Sequence, residues 1–140
     1  QRTGIDPAWL SFEVTETAAV SDLSSSAGII HELKSLGCKV ALDDFGSGQA
    51  SYSYLKQLPV DWLKIDGVFV RKIATNSDDF AVVKSINEIG HFLGKKTIAE
   101  YVADDDILAK IREIGVDFAQ GFGISPPLLM EDLLQTRQIA

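Results

Sequence analysis

The sequence predicts an α/β fold of about five parallel strands joined by crossover helices. Three observations lead there. Short strand-like runs recur at intervals of roughly 25–35 residues. Helical spacing of apolar residues fills the gaps between them, and glycine closes the helices. At this level the alternatives are an open doubly wound sheet and part of a closed barrel. A complete (β/α)8 barrel needs about 200–250 residues, and these 140 suffice for little more than half of one.

The elements follow in order. Residues 10–15 alternate apolar and polar and read as the first strand. Asp22 and Ser24 to Ser26 offer N-caps to a helix carrying Ile29, Ile30, Leu33 and Leu36 at helical spacing, which Gly37 ends. Residues 39–43 form the second strand, followed by a Gly/Ser loop over 44–48 and a short helical stretch over 52–58 that Pro59 stops. The third strand spans 62–66. A helix over 77–93, capped by Ser77 or Asp78, ends at Gly94. The fourth strand is 96–100, a helix over 104–114 closes at Gly115, and 117–120 is a short fifth strand. Pro126 and Pro127 precede a last short helix near 131–138.

Composition narrows the function classes. Hydrophobic residues at 46% and charged residues at 24% are ordinary for a globular chain and exclude disorder, collagen and coiled coil. One cysteine excludes a disulfide-stapled scaffold and points to a reducing, cytoplasmic compartment. No apolar run approaches the ~18–20 residues of a membrane span. Thirteen basic against 20 acidic residues, a charge of −7, argue against binding DNA through its backbone. A phosphate ligand held through divalent cations remains compatible with that charge. The start lacks an initiator Met and a signal-peptide pattern, so the chain is expected to be part of a longer protein, which leaves a membrane anchor upstream open.

The strand ends carry the chemistry. Glu13 and Glu16 flank the end of the first strand, Asp43 and Asp44 the second, Lys64 and Asp66 the third, Glu100 the fourth and Gln120 the fifth. In a parallel barrel these positions surround one mouth. Six of the eight are carboxylates, which repel and take up protons when packed together. A divalent cation removes that difficulty, and oxygen ligands suit Mg²⁺ or Mn²⁺. Each acid after a strand also has an ordinary reading as a turn or helix cap. That reading is weakest for Glu13, set between Phe12 and Val14. Lys64, between Leu63 and Ile65, needs a charged partner if buried. His31 and His91 fall within helices and read as helix-face histidines. With no Cys/His cluster, a zinc site of the usual type is not expected.

Five segments together resemble the ordered motifs of the EAL domain: residues 12–17 (FEVTET), 40–48 (VALDDFGSG), 58–66 (LPVDWLKID), 97–100 (TIAE) and 119–122 (AQGF). These domains are cyclic-di-GMP phosphodiesterases or their degenerate relatives, folded as a modified (β/α)8 TIM-like barrel with one antiparallel strand. The resemblance implies that residues 1–140 are the C-terminal part of such a domain, lacking the N-terminal part with the Glu-Ala-Leu motif. It implies that Glu13, Asp43, Asp44 and Glu100 hold two Mg²⁺ or Mn²⁺ ions, with Asp43 bridging them. Glu100, Lys64 and Gln120 would be catalytic, attending the attacking water, the phosphate or the metal shell, and Glu16 would steady the loop after Asp44.

The implied reaction is hydrolysis of one phosphodiester bond of cyclic di-GMP to the linear dinucleotide, within bacterial second-messenger signal transduction. A homodimer and neighbouring GGDEF or sensor domains are the implied partners. Two departures stand out. The family's Ala-Glu-Gly-Val-Glu reads Ala99-Glu100-Tyr101-Val102-Ala103, and its Gly-Tyr-Ser-Ser reads Gly48-Gln49-Ala50-Ser51. The alternative function is therefore a catalytically degenerate module acting as a cyclic-di-GMP receptor or protein-interaction domain.

Overall fold

A computed structural model describes residues 4–47 and 52–132 of the chain. After a 3₁₀ turn at Pro7–Trp9, the elements run β1 (Ser11–Thr15), α1 (Glu16–Ser21), α2 (Leu23–Ser35), β2 (Lys39–Phe45), α3 (Tyr52–Leu55), β3 (Trp62–Ile65), α4 (Gly67–Val70), α5 (Ser77–Phe92), β4 (Lys96–Ala99), α6 (Asp105–Ile114) and β5 (Phe118–Ala119). The five strands form one sheet in the order β1-β2-β3-β4-β5, and every neighbouring pair is parallel. A doubly wound sheet reverses its strand order at a switch point. Strictly sequential order is instead the winding of a TIM-like barrel, so all strand C-termini collect on one side.

The core lies between this sheet and its helices. Val40, Ala41 and Leu42 are consecutive and all buried, as expected of a parallel strand covered on both faces. Leu42, Phe45, Leu63, Ile65 and Ala99 from the strands meet Val83 and Ile86 of α5 and Ile107 and Ile111 of α6 in one cluster. Gly90 lets α5 approach the sheet closely. A Cβ there would stand 2.9 Å from the Thr97 methyl and 3.2 Å from Leu63 Cδ1.

Several boundaries differ from the sequence expectation. Helices α1 and α4 were not expected, because helices of six and four residues hold too few apolar positions to display a period. Strand β2 continues through Asp44 and Phe45, where a Gly/Ser loop was expected to begin, since a register irregularity against β3 carries the chain past Asp43. The cap of α5 is Asn76, not Ser77 or Asp78. Its side-chain oxygen accepts from the backbone of Asp78 at 2.9 Å and Asp79 at 3.3 Å. Helix α3 ends at Leu55, short of residue 58. The expected 48–51 loop lies outside the described residues, as does most of the expected helix 131–138.

At the N-terminal side of the sheet one device appears twice. The residue just before a strand turns its carboxylate onto the second N–H of the preceding strand. Asp61, before β3, accepts from Val40 N at 3.0 Å and from Lys34 at 3.0 Å. Asp117, before β5, accepts from Thr97 N at 2.9 Å and from Lys96 at 2.9 Å, with His91 Nε2 at 2.8 Å. Burial alone would raise both carboxyls. The backbone N–H groups and cationic neighbours outweigh it and hold both below the usual aspartate value. His91 is thus tied to an ion-pair cluster, where a plain helix-face residue was expected.

A carboxyl depressed on folding stabilises the fold at pH values above its unfolded pKa of about 3.9, and that stabilisation fades as pH falls toward the folded value. Melting temperature is therefore expected to drop steadily from pH 5 to pH 2. Asp117→Asn should cost about 1–3 kcal/mol at pH 7 and flatten that acid limb. Thermal unfolding scanned across pH checks both, and a variant with an unaltered acid limb contradicts the role given to Asp117.

Candidate active site

Lys64 sits near the end of β3, its side chain only 5% exposed. Its ammonium meets three carboxylates brought from three other segments: Glu13 Oε2 of β1 at 2.9 Å, Asp43 Oδ1 of β2 at 2.9 Å, and Glu100 Oε1 just after β4 at 2.8 Å. These residues lie 51, 21 and 36 positions away in sequence, and parallel pairing of consecutive strands is what aligns them. Burial would drive Lys64 toward its neutral form. Its close charged contacts with Glu100, Glu13 and Asp43 reverse this and hold it protonated well above the usual lysine range.

Asp44 joins the group through a backbone irregularity. Successive strand residues point to opposite faces, so adjacent aspartates would normally diverge. Here the register shifts between Leu42 and Phe45, and Asp44 adopts φ +54°. An L-residue rarely holds that conformation without surrounding structure that over-determines it. As a result Asp43, Asp44 and Glu100 each present a carboxylate oxygen, all within 4.8 Å of one another. Glu100 is raised above the usual glutamate value by burial, opposed by Lys64 and reinforced by Asp43 and Asp44. Asp44 is raised by burial and by its neighbours Asp43 and Asp66, against the pull of Lys64.

The remaining expected residues fall around this cluster. Glu16 opens α1, is buried, and accepts hydrogen bonds from Gly46 N at 2.8 Å and from the Tyr54 hydroxyl. It thus contacts the chain just beyond Asp44 and is separate from the Lys64 group. Gln120 follows β5. Its backbone N–H donates to Ala99 O at 2.8 Å and its carbonyl accepts from Val102 N at 3.0 Å. The residue lines a cavity of about 420 Å³ together with Glu100, Tyr101, Ala103, Gly121 and Phe122. Among the described residues no hydrogen bond links its side chain to the carboxylates. Asp66 caps α4 through Val68 N at 2.8 Å, the ordinary reading of an acid after a strand. Tyr54 was not singled out from sequence. It lies 38 positions from Glu16, and nothing in its local pattern marks it as a partner.

The donor set suits a hard divalent cation. Glu13, Asp43, Asp44 and Glu100 bring four carboxylates against the single ammonium of Lys64. Asp43 Oδ1 is fully enclosed, and although the ammonium lies 2.9 Å away it accepts no directed hydrogen bond. A buried, under-satisfied anionic oxygen beside further carboxylates is costly unless a cation completes it. The ligands are all oxygen, which favours Mg²⁺, Mn²⁺ or Ca²⁺ over softer metals.

A sequentially wound parallel sheet with an acidic cluster at its strand C-termini defines a TIM-barrel-like protein whose site lies at the barrel mouth. The chain belongs to the EAL domain family, whose sequence model matches residues 1–127. It is 46% identical over 116 residues to the cyclic di-GMP phosphodiesterase PdeB of Shewanella oneidensis, covering 83% of this chain and 14% of that protein. It is 41% identical over 128 residues to the cyclic di-GMP phosphodiesterase PdeF of Escherichia coli, covering 91% of this chain and 17% of that protein. Among solved structures, the PaMucR phosphodiesterase in complex with c-di-GMP superposes with a TM-score of 0.89 at 37% identity, over 94% of this chain and 53% of that one. The manganese and cyclic-di-GMP complex of Klebsiella pneumoniae BlrP1 gives a TM-score of 0.79 at 30% identity, over 85% of this chain and 30% of that one. The chain thus spans a small part of these curated relatives and about half of the PaMucR structure.

Removing the ammonium while keeping its carboxylates exposes their repulsion. Lys64→Met is expected to cost roughly 3–5 kcal/mol at pH 7, with part of the loss recovered at a lower pH, because Glu100 and Asp44 are already raised and take up protons first. Urea denaturation at the two pH values measures this, and equal stability of variant and wild type at pH 7 rules out the central position given to Lys64.

Proposed function

We propose that this chain is the C-terminal part of a metal-dependent EAL phosphodiesterase domain that hydrolyses one phosphodiester bond of cyclic di-GMP to the linear dinucleotide. The observation that carries this reading is the convergence of Asp43, Asp44 and Glu100, with the enclosed Asp43 oxygen left without a directed partner. The names of the relatives and the ligands of the solved neighbours support the substrate.

In this reading Glu13, Asp43, Asp44 and Glu100 would together hold two Mg²⁺ or Mn²⁺ ions. Such ions, when bound, lower the pKa of water and offset phosphate charge. The chain's own groups supply the rest. Lys64 is held protonated too firmly to act as a base, so its part is electrostatic: a fixed positive charge beside the phosphate, strongest where water is excluded. Glu100 contacts Lys64 and also faces the cavity, so it can orient the nucleophilic water as well as bind metal. Gln120 lines the same cavity, and its side-chain amide is proposed to donate to that water or to a ligand oxygen. Glu16 holds Gly46, and through it the loop that follows Asp44.

The parent protein is proposed to act in the cytoplasm as a homodimer with sensor or GGDEF domains in the same chain. No described helix is long and apolar enough to cross a membrane. A second reading, a receptor that binds cyclic di-GMP without cleaving it, is favoured by one observation. Ala103 lines the cavity where the family resemblance calls for a carboxylate.

With the full-length protein, hydrolysis of cyclic di-GMP is expected with Mg²⁺ or Mn²⁺ and is expected to stop on chelation. Glu100→Ala should reduce turnover at least about 10²- to 10³-fold while cyclic di-GMP still binds. Tight binding without any turnover in the wild type would select the receptor reading. The isolated chain has a different expected behaviour. Among the described residues neither edge strand has a further strand beside it, and Phe12 and Phe118 are exposed on β1 and β5. It should self-associate and be inactive, and a monodisperse, active monomer in light scattering and assay would refute this.

A further inference from the structure

We infer that Thr97 of β4 and Asn87 of α5 are positioning residues for the reaction: their buried hydrogen bonds set the register of β5 against β4 and so place Gln120 beside Glu100. This rests on the phosphodiesterase reading and adds to it two residues outside the acidic cluster. The ladder between these two strands is the shortest in the sheet. Strands β1 and β2 pair over five residues and β3 and β4 over four, but β4 and β5 match only Ile98 with Phe118 and Ala99 with Ala119. So short a ladder specifies register weakly. On the side of the barrel mouth the backbone adds to it, with Gln120 N donating to Ala99 O at 2.8 Å and Val102 N donating to Gln120 O at 3.0 Å.

On the other side the hold comes from side chains. Thr97 is fully buried and Asn87 nearly so. The Thr97 hydroxyl donates to Asn87 Oδ1 at 2.5 Å and accepts from the backbone of Asp117, just before β5, at 3.4 Å. The Asp117 carboxylate accepts in return from Thr97 N at 2.9 Å. The Asn87 amide donates to the carbonyls of Ile114 at 3.3 Å and Gly115 at 3.4 Å, where α6 ends and the chain turns toward β5. One hydroxyl and one amide thus grip the approach to β5 from β4 and from α5 together. Stability alone does not call for such a pair, since apolar side chains of the same shape can serve nearly as well. What the polar pair adds is direction, because a satisfied buried network specifies a single arrangement. A slip of one residue would turn the side chains of β5 to the opposite face. It would also carry Gln120 away from the cavity wall it shares with Glu100.

Turnover of cyclic di-GMP by the full-length protein with Mn²⁺ tests this, each variant made alone and together with Gln120→Ala. Thr97→Val is expected to lower kcat about tenfold to a hundredfold with KM within about threefold, the mark of a misplaced group. Thr97→Ser keeps the hydroxyl and should hold kcat within about threefold of wild type. Beside Gln120→Ala, itself slowed, Thr97→Val should bring no further loss, the non-additivity of residues that act through one group. Thr97→Val combined with Asn87→Leu replaces the polar pair by an apolar one. It should show the same loss of kcat at near wild-type stability, and it carries the measurement where Thr97→Val alone does not fold. Wild-type kcat in the valine variants, a loss undiminished beside Gln120→Ala, or a serine variant as slow as valine overturns the inference while the phosphodiesterase reading stands. A wild-type protein that does not cleave cyclic di-GMP overturns both.

Discussion

A lysine driven into a nearly closed space at the end of β3 must keep its charge company. It does so with carboxylates from β1, from β2 and from the residue after β4. That requirement organises much of the molecule. The ammonium can reach three acids only if consecutive strands lie side by side, in parallel, with their ends level. The sequential sheet order supplies this arrangement. The ion pairs in turn draw together acids that would otherwise repel across a low-dielectric pocket. One ammonium does not balance four carboxylates, and the enclosed Asp43 oxygen, though paired with it, accepts no directed hydrogen bond. The described acids leave the site with an excess of negative charge, a donor set that suits a hard divalent cation.

Local strain is placed beside that excess. Asp44 and Tyr101 are the described non-glycine residues with positive φ, and each adjoins the cluster. At Asp44 the irregularity turns a second aspartate into the group that Asp43 already faces. Conformations of this kind cost of order 1–3 kcal/mol each and persist because neighbours hold them. Glu16 binds Gly46 just beyond Asp44, and α4 clamps the ring of Tyr101. The opposite end of the sheet is plainer, with Asp61 and Asp117 closing strand N-termini in hydrogen bonds that hold the carboxyls ionised.

Much of this could be read from the chain because the signals are repetitive. The apolar runs at 39–43, 62–66 and 96–100 carry their polar residues at the C-terminal end, and strands of a parallel sheet share that end. Lys64 between Leu63 and Ile65 announces a buried charge and therefore a partner. What stayed hidden depends on geometry without local pattern. The short helices α1 and α4 lack a full apolar face. The extension of β2 through Phe45 depends on one residue's φ, which an Asp-Asp pair does not advertise. The Glu16–Tyr54 contact joins residues 38 apart, and the placement of Asn76 as the α5 cap had two equally plausible neighbours.

The central claim is that these carboxylates are gathered to hold divalent cations, and direct titration with Mn²⁺ tests it most simply. Electron paramagnetic resonance of free Mn²⁺ counts bound ions in the full-length protein without reference to turnover. The account predicts a pair of ions per domain, with Asp43→Asn weakening binding at least tenfold, because Asp43 presents the oxygen that lacks a directed partner. Absence of Mn²⁺ binding, or equal affinity in wild type and Asp43→Asn, would contradict it.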